Sequence, residues 1–152
     1  MTLELKIIPP VQFTICVALM VALSKTFTGL TFSYQIDLVW VIALLFIASI
    51  IGALALITFR QHKTTFHPHT PEKTSTIVDT GVYAFSRNPM YLAMAIALIA
   101  LAIYSHNYSA FAVLPLFTGY LTQFQIKPEE RMLDKLFPND YQAYCAKVRR
   151  WL

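Results

Sequence analysis

Charge is what this chain has least of. Of its 152 residues, 12 are Lys or Arg and 8 are Asp or Glu, so 13% are charged and 57% are hydrophobic, whereas soluble chains carry roughly 25% charged residues. That balance argues against a soluble domain and for a membrane protein. Cysteine is almost as scarce. Cys16 lies inside a hydrophobic run and Cys145 in the polar C-terminal region, so no disulfide framework is implied. The formal net charge of +4 comes without a stripe of basic and aromatic residues, which removes nucleic acid as a partner. The basic residues gather instead where hydrophobic runs end.

The hydrophobic runs are read as four spans in one domain covering residues 1–152. The first, about 7–28, is entered through Pro9 and Pro10, which are tolerated in the first turn of a helix. It is marginal in length and borrows from a snorkelling Lys25. A cleaved signal peptide with Lys6 as its basic region and Ala22-Leu23-Ser24 as its small-residue site is the rival reading. The second, 38–59, is charge-free, with Trp40 as an interfacial anchor. Its Gly52, Ala53 and Ala55 suit either close helix packing or plain lipid contact.

From Asn88 to Ile126 there is no Asp, Glu, Lys or Arg, room for two more spans (89–105 and 108–126) with His106-Asn107-Tyr108-Ser109 as the turn. Asn88 is the expected N-cap of the third, with Pro89 at its first position. Pro115 and Gly119 predict a kink in the fourth. No span interior carries an Asp, Glu, Lys or Arg, which argues against an ion or proton path.

Between the spans lies one long polar loop, 60–88, too long for a connection without a function. Its His67 and His69 lack a Cys or carboxylate partner at ligand spacing, so no metal is expected. The tail, 127–152, begins with a helix opened by Pro128, with Glu129 and Glu130 in its first turn and Met132, Leu133, Leu136 and Phe137 as an apolar stripe. Asp140 is expected to cap a second helix bearing Tyr141, Tyr144, Cys145 and Val148. Both read as amphipathic surface helices. Ten of the twelve Lys and Arg residues lie in this loop and this tail. By the positive-inside rule both fall on the cytoplasmic side together with the N-terminus.

Loop and tail can therefore meet. The loop ends in Gly81-Val-Tyr-Ala-Phe-Ser-Arg-Asn-Pro-Met-Tyr91, polar groups set against the start of an apolar helix. A helix N-terminus there favours an anion, and Arg87 is a fork-shaped partner for carboxylate or phosphate. Glu129 and Glu130 offer negative charge to a cation or a ribose diol. A ligand with a carboxylate, a cationic centre and a ribose, such as S-adenosylmethionine, satisfies both halves. The plainer alternative makes Arg87 a snorkelling topology residue and the two Glu helix-start charges. A non-catalytic scaffold or transporter subunit is the alternative of another class.

The ordered set Gly81-x-Tyr83-x-x-Ser86-Arg87-Asn88-Pro89-Met90-Tyr91, then Glu129-Glu130-x-x-Leu133, Phe137, Tyr141, Tyr144 and Val148, resembles the isoprenylcysteine carboxyl methyltransferase family. The likeness is to its short bacterial members, including Pro71-Glu72-Lys73 and the Arg149-Arg150-Trp151-Leu152 ending. The pattern also resembles phospholipid N-methyltransferases. The resemblance spans roughly 67–152 and implies an integral-membrane, all-α methyltransferase using S-adenosylmethionine without a Rossmann domain, in a bacterial inner membrane, with a lipophilic or small amphiphilic acceptor reached from the bilayer. Carried over, Gly81, Tyr83, Asn88, Pro89, Tyr91, Glu129 and Glu130 would bind the cofactor. Arg87 and Arg131 are further candidates for holding cofactor or acceptor. Tyr91, Glu130 and Arg87 are the candidate catalytic residues, and a loop histidine is another possible base. The prenylcysteine enzymes usually carry His at the position of Asn88, whereas the phospholipid branch has Asn, so the acceptor stays open between carboxylate, amine and thiol.

Overall fold

The computed structural model describes residues 4–32, 37–62 and 77–152. His67, His69 and Pro71-Glu72-Lys73 lie outside them. The described residues are helical apart from short connections. Helix α1 is Pro9–Thr26, α2 is Leu38–Gln61, α3 is Pro89–Tyr104, α4 is Tyr108–Phe111, α5 is Val113–Leu121, α6 is Lys127–Leu136 and α7 is Pro138–Lys147. Single 3-10 turns occupy Thr28–Leu30 and Gly81–Ala84.

Among the described residues two helices, α1 with 18 residues and α2 with 24, are long and apolar enough to cross a membrane. At about 1.5 Å per residue they run about 27 and 36 Å, against a hydrocarbon core of about 30 Å. Their outward faces are apolar, with Ile15 and Leu19 on α1 and Val39, Trp40, Ile42, Phe46, Ile50 and Ile57 on α2 all exposed. Such a continuous apolar surface suits lipid contact. Helix α3 is apolar and shorter, and its Ala93, Ala95, Leu98, Ala100 and Ala102 are buried. It is the central helix, packed against α2 on one side and against α1 and α5 on the other. Small residues permit the α2–α3 approach: a Cβ added at Gly52 would sit 3.5 Å from Ala93 Cβ, and Ala48 and Ala55 are buried nearby on α2, whereas Ala53 faces outward. The main core gathers Cys16, Met20, Leu98, Val113, Phe117, Leu121 and Ile126.

Residues 108–126 do not form one kinked helix. Helix α4 ends at Phe111, Ala112 makes a turn, α5 follows, and Thr122–Ile126 is a π-helical turn that runs on into α6. Proline explains both irregularities, because it lacks an N–H and its ring crowds the carbonyl four residues before. Pro115 places that disturbance at Phe111, and Pro128 places it at Phe124. The Phe124 carbonyl instead accepts from Leu5 N–H at 3.0 Å. Pro128 therefore does not open a separate helix, and the residue before α6, Ile126, is itself helical. Glu129 and Glu130 accordingly do not sit at a free helix N-terminus.

Asp140 does not cap α7. That helix begins at Pro138 with Phe137 before it, leaving Asp140 in the first turn. The apolar stripe of α7 packs as its spacing predicts, with Tyr141, Tyr144 and Val148 buried against Ile77 and Leu133. Leu136, on the stripe of α6, is exposed.

The turn after α3 is built on Asn107, which is fully buried. Its amide donates to the carbonyls of Ser24 at 3.3 Å and Phe27 at 2.8 Å. Its side-chain oxygen accepts from Ser109 N–H at 2.9 Å and Ser109 Oγ at 2.7 Å. One side chain thus ties the C-terminal end of α1 to the start of α4.

Candidate functional site

The end of the bundle opposite Asn107 is where the end of the loop, the tail and the N-terminal residues meet. Arg87 N–H donates to Arg149 O at 3.0 Å, Tyr144 Oη donates to Tyr83 O at 2.7 Å, and Arg131 pairs with Glu4 at 2.9 Å. Loop and tail residues from opposite sides of the α3–α5 segment therefore share one end of the molecule.

Gly81 enters this end in the left-handed region, with φ +59°, where an L side chain is strained. A Cβ there would also lie 3.1 Å from Thr58 Oγ1 on α2. The backbone then winds through the 3-10 turn, in which Tyr83 N–H donates to Thr80 O at 3.1 Å. The Tyr83 side chain is buried with Ala55 and Val78. Both backbone groups of Tyr83 are thus engaged within the protein. His62, on the α2 side, contacts Thr80 Oγ1 at 3.1 Å.

Asn88 holds the N-cap position of α3, its carbonyl accepting from Leu92 N–H at 2.9 Å, but its side chain makes no cap hydrogen bond. Its side-chain amide donates to Arg150 O at 3.0 Å, and its N–H donates to Ser86 Oγ at 3.2 Å. The N-terminal end of α3 is met by main-chain oxygens of the tail, because a carbonyl is a ready acceptor for the donors gathered there. Pro89 is buried as the first residue of the helix.

The two acidic residues of α6 have different surroundings. Glu129 accepts from Tyr91 Oη at 2.8 Å and from Gln125 Nε2 at 2.6 Å, both at Oε1. Both donors are neutral. Burial pushes its carboxyl up to about 7, the Gln125 and Tyr91 hydrogen bonds partly oppose that, and the charge of Glu130 adds to it. Glu130 is held by guanidinium groups. Arg150 grips it at both oxygens, Nε to Oε1 at 3.0 Å and Nη2 to Oε2 at 2.7 Å, and Arg87 Nη2 lies 3.4 Å from Oε1. Those hydrogen bonds push the Arg150 guanidinium further up.

Arg87 also turns toward α7. Its Nη1 donates to Tyr141 Oη at 3.4 Å and to Cys145 Sγ, while its Nε is buried without a hydrogen-bond partner among the described residues. Burial and the charge of Glu130 push the Tyr141 hydroxyl well above its ordinary range, with Arg87 opposing.

Tyr91 and Glu129 form one set of contacts with Gln125, and Arg87, Glu130 and Asn88 form a second through Arg150; the sequence neighbours Glu129 and Glu130 bring the two sets side by side. Tyr83 comes near Glu129 and Tyr91, Gly81 lies against Thr58 of α2, and Arg131 stands apart with Glu4. Sequence reasoning passed over Gln125, Cys145 and the side chain of Arg150. Gln125 carries a readable signal, a polar residue late in an apolar run and four before Glu129, hence on the same helix face. Chemically, the site offers a carboxyl that burial pushes up to about 7 and, in the neighbouring set of contacts, a guanidinium with a buried N–H that no described residue engages.

A family model described as phospholipid methyltransferase matches residues 36–140, most of the chain. An uncharacterized protein of Haemophilus influenzae is 38% identical over 63 residues, covering 41% of this chain and the whole of that protein. No solved structure matches. The matched range takes in α2, the Gly81–Tyr91 stretch and the Glu129-Glu130 pair, and this chain belongs to the phospholipid methyltransferase family.

Proposed function

We propose that this chain is an integral-membrane methyltransferase that takes its methyl group from S-adenosylmethionine and transfers it to a lipophilic or small amphiphilic acceptor. In this reading α1, α2, α3 and the α4–α5 segment make four spans of a single domain, in a bacterial inner membrane, with the site, the loop and both termini on the cytoplasmic face. The observation that carries the cofactor is the contrast between the two acids. Glu130 already has two guanidinium partners, whereas Glu129 has no cationic partner among the described residues, so Glu129 is the group left for a cationic centre.

The residues present fit such a cofactor. The buried, unpartnered Nε of Arg87 suits a carboxylate oxygen. Glu129 suits the sulfonium or ammonium charge, and Glu130, orientated by Arg150, has remaining lone pairs for a hydroxyl. Asn88, Pro89, Gly81 and Tyr83 shape the wall beside them. When bound, S-adenosylmethionine supplies a methyl on a cationic sulfur open to in-line displacement. The contribution of the chain is to hold the acceptor in line and keep water out.

The acceptor is argued from the acid-base chemistry. A carboxylate acceptor, as in an isoprenylcysteine-type substrate, needs no base. An amine must first lose a proton, and Glu129 with its carboxyl near neutrality is suited to take it. Glu130, bound at both oxygens by Arg150, is less free to act as that base. A phospholipid amine is therefore the second reading, favoured by Glu129 and by Asn88. Incubating purified protein with methyl-labelled cofactor and a panel of prenylcysteines, phospholipids, fatty acids and small thiols separates the two. Label in the phospholipid fraction alone supports the amine, base-labile label in prenylcysteine supports the ester, and no label in any lipid or thiol contradicts the proposal.

A further inference from the structure

The last four residues fold back across the start of α3. Arg149 gives its carbonyl to Arg87 N–H at 3.0 Å, Arg150 gives its carbonyl to the Asn88 amide at 3.0 Å, and Trp151 packs against the main core. The Arg150 side chain meanwhile crosses to α6 and takes both oxygens of Glu130. A single residue therefore touches both walls of the site, the loop wall through its backbone and the acidic wall through its side chain. The two partners are 62 and 20 residues away in the chain. The segment lies beyond residue 140, where the family match stops.

A tail that only closed the fold would not need a planar fork aimed at a part-buried carboxylate. Trp151 and the two carbonyl contacts suffice to seat it. The bidentate pair fixes the plane of the Glu130 carboxylate, and the same residue fixes the Asn88 amide, so the two groups are held in register.

We infer that Arg150 is a positioning residue of this site, orienting Glu130 and Asn88 together for the ligand that they bind. This inference rests on the cofactor reading above. Its effect is pre-organisation: the acids and the amide are ordered before the ligand arrives, so less freedom is lost on binding.

The test is calorimetry with S-adenosylhomocysteine on the full-length protein in detergent, with the thermal midpoint measured on the same samples. Arg150→Ala is expected to weaken binding about tenfold, the scale of a charge-assisted hydrogen bond. Arg150→Lys keeps the charge, loses the fork and recovers only part of that loss while its midpoint stays near wild type. The double variant Glu130→Gln with Arg150→Ala is expected to bind within about twofold of the weaker single variant, because both changes remove one arrangement. If Arg150→Ala does not fold, Arg150→Lys carries the comparison. Wild-type affinity in Arg150→Lys and in every folded Ala variant, or losses that add in full in the double variant, overturns the inference. Wild-type protein that binds no S-adenosylhomocysteine overturns the cofactor reading itself, and needs no variant to be recognised.

Discussion

Glu129 and Glu130 are adjacent in sequence and opposite in electrostatic situation. Two guanidinium groups surround one, while a phenol and an amide surround the other. Dipoles alone do not offset the cost of ionising a carboxyl withdrawn from water, so Glu129 titrates near 7 where an ordinary glutamate titrates near 4.5. The groups facing it are Tyr91 from α3, Gln125 from the π turn, Glu130 from α6 and Tyr83 from the 3-10 turn, none of them cationic. Affinity for S-adenosylmethionine should therefore rise about tenfold between pH 6 and pH 8, following the ionised fraction of a group with that pKa. S-adenosylhomocysteine, neutral at sulfur, should respond less. Calorimetry at both pH values checks this, and a wild-type affinity flat across that range would contradict it. The same shift has a stability consequence. The folded state holds a proton that the unfolded state has released between about pH 4.5 and 7, so stability is lost as pH rises through that window. Glu129→Gln removes that dependence, and its thermal midpoint should gain on wild type from pH 5 to pH 8.

At the scale of elements, proline and asparagine set the boundaries. Pro89 marks the start of α3, as read from sequence, because its fixed φ and missing N–H suit a first turn. Pro115 and Pro128 act upstream of themselves, which is why the break at Ala112 and the π turn at Thr122–Ile126 were not legible from the positions of the prolines alone. Asn88 holds the N-cap position that its sequence signature predicts, but its side-chain amide is taken by a carbonyl 62 residues later. Local pattern cannot report a partner so remote. The apolar spacing of α7 was legible because a buried face repeats along one helix, whereas the Arg150–Glu130 pair has no periodicity to reveal it. Asn107 provides a check on the separation of fold from site. It lies beyond the far end of α3, about 24 Å along that helix from Pro89. Asn107→Ala removes the amide that the Ser24 and Phe27 carbonyls accept from and the oxygen that Ser109 N–H and Oγ donate to, a cost of about 2 kcal/mol or more. The thermal midpoint in detergent should fall by about 5 °C while the affinity of the folded protein for S-adenosylhomocysteine stays within about twofold. A binding loss as large as that of a site variant would show that the two ends are not independent.

For the whole molecule, the hydrophobic runs specify a helical membrane protein, and the distribution of charge brings loop and tail to one end. Contacts such as Tyr144 to Tyr83 and Arg87 to Arg149 fit that arrangement. Single cysteines at Thr80 and Gln142, both exposed, introduced into a background without Cys16 and Cys145, should react with an impermeant maleimide from the same face of the membrane. A cysteine at exposed Tyr108 should react from the other. Labelling of Thr80→Cys and Gln142→Cys from opposite faces would rule out the four-span arrangement. The motif stretch and the acidic pair could be recognised in the sequence because polar groups stand out beside apolar runs. The strap that joins them could not, since it depends on how the chain returns. The central claim is that these walls enclose a cofactor site, and the most direct measurement is calorimetric titration of the purified protein with S-adenosylhomocysteine. Saturable binding that falls about tenfold in Glu130→Gln and in Asn88→Ala is the predicted result, and no saturable binding to the folded wild-type protein would contradict it.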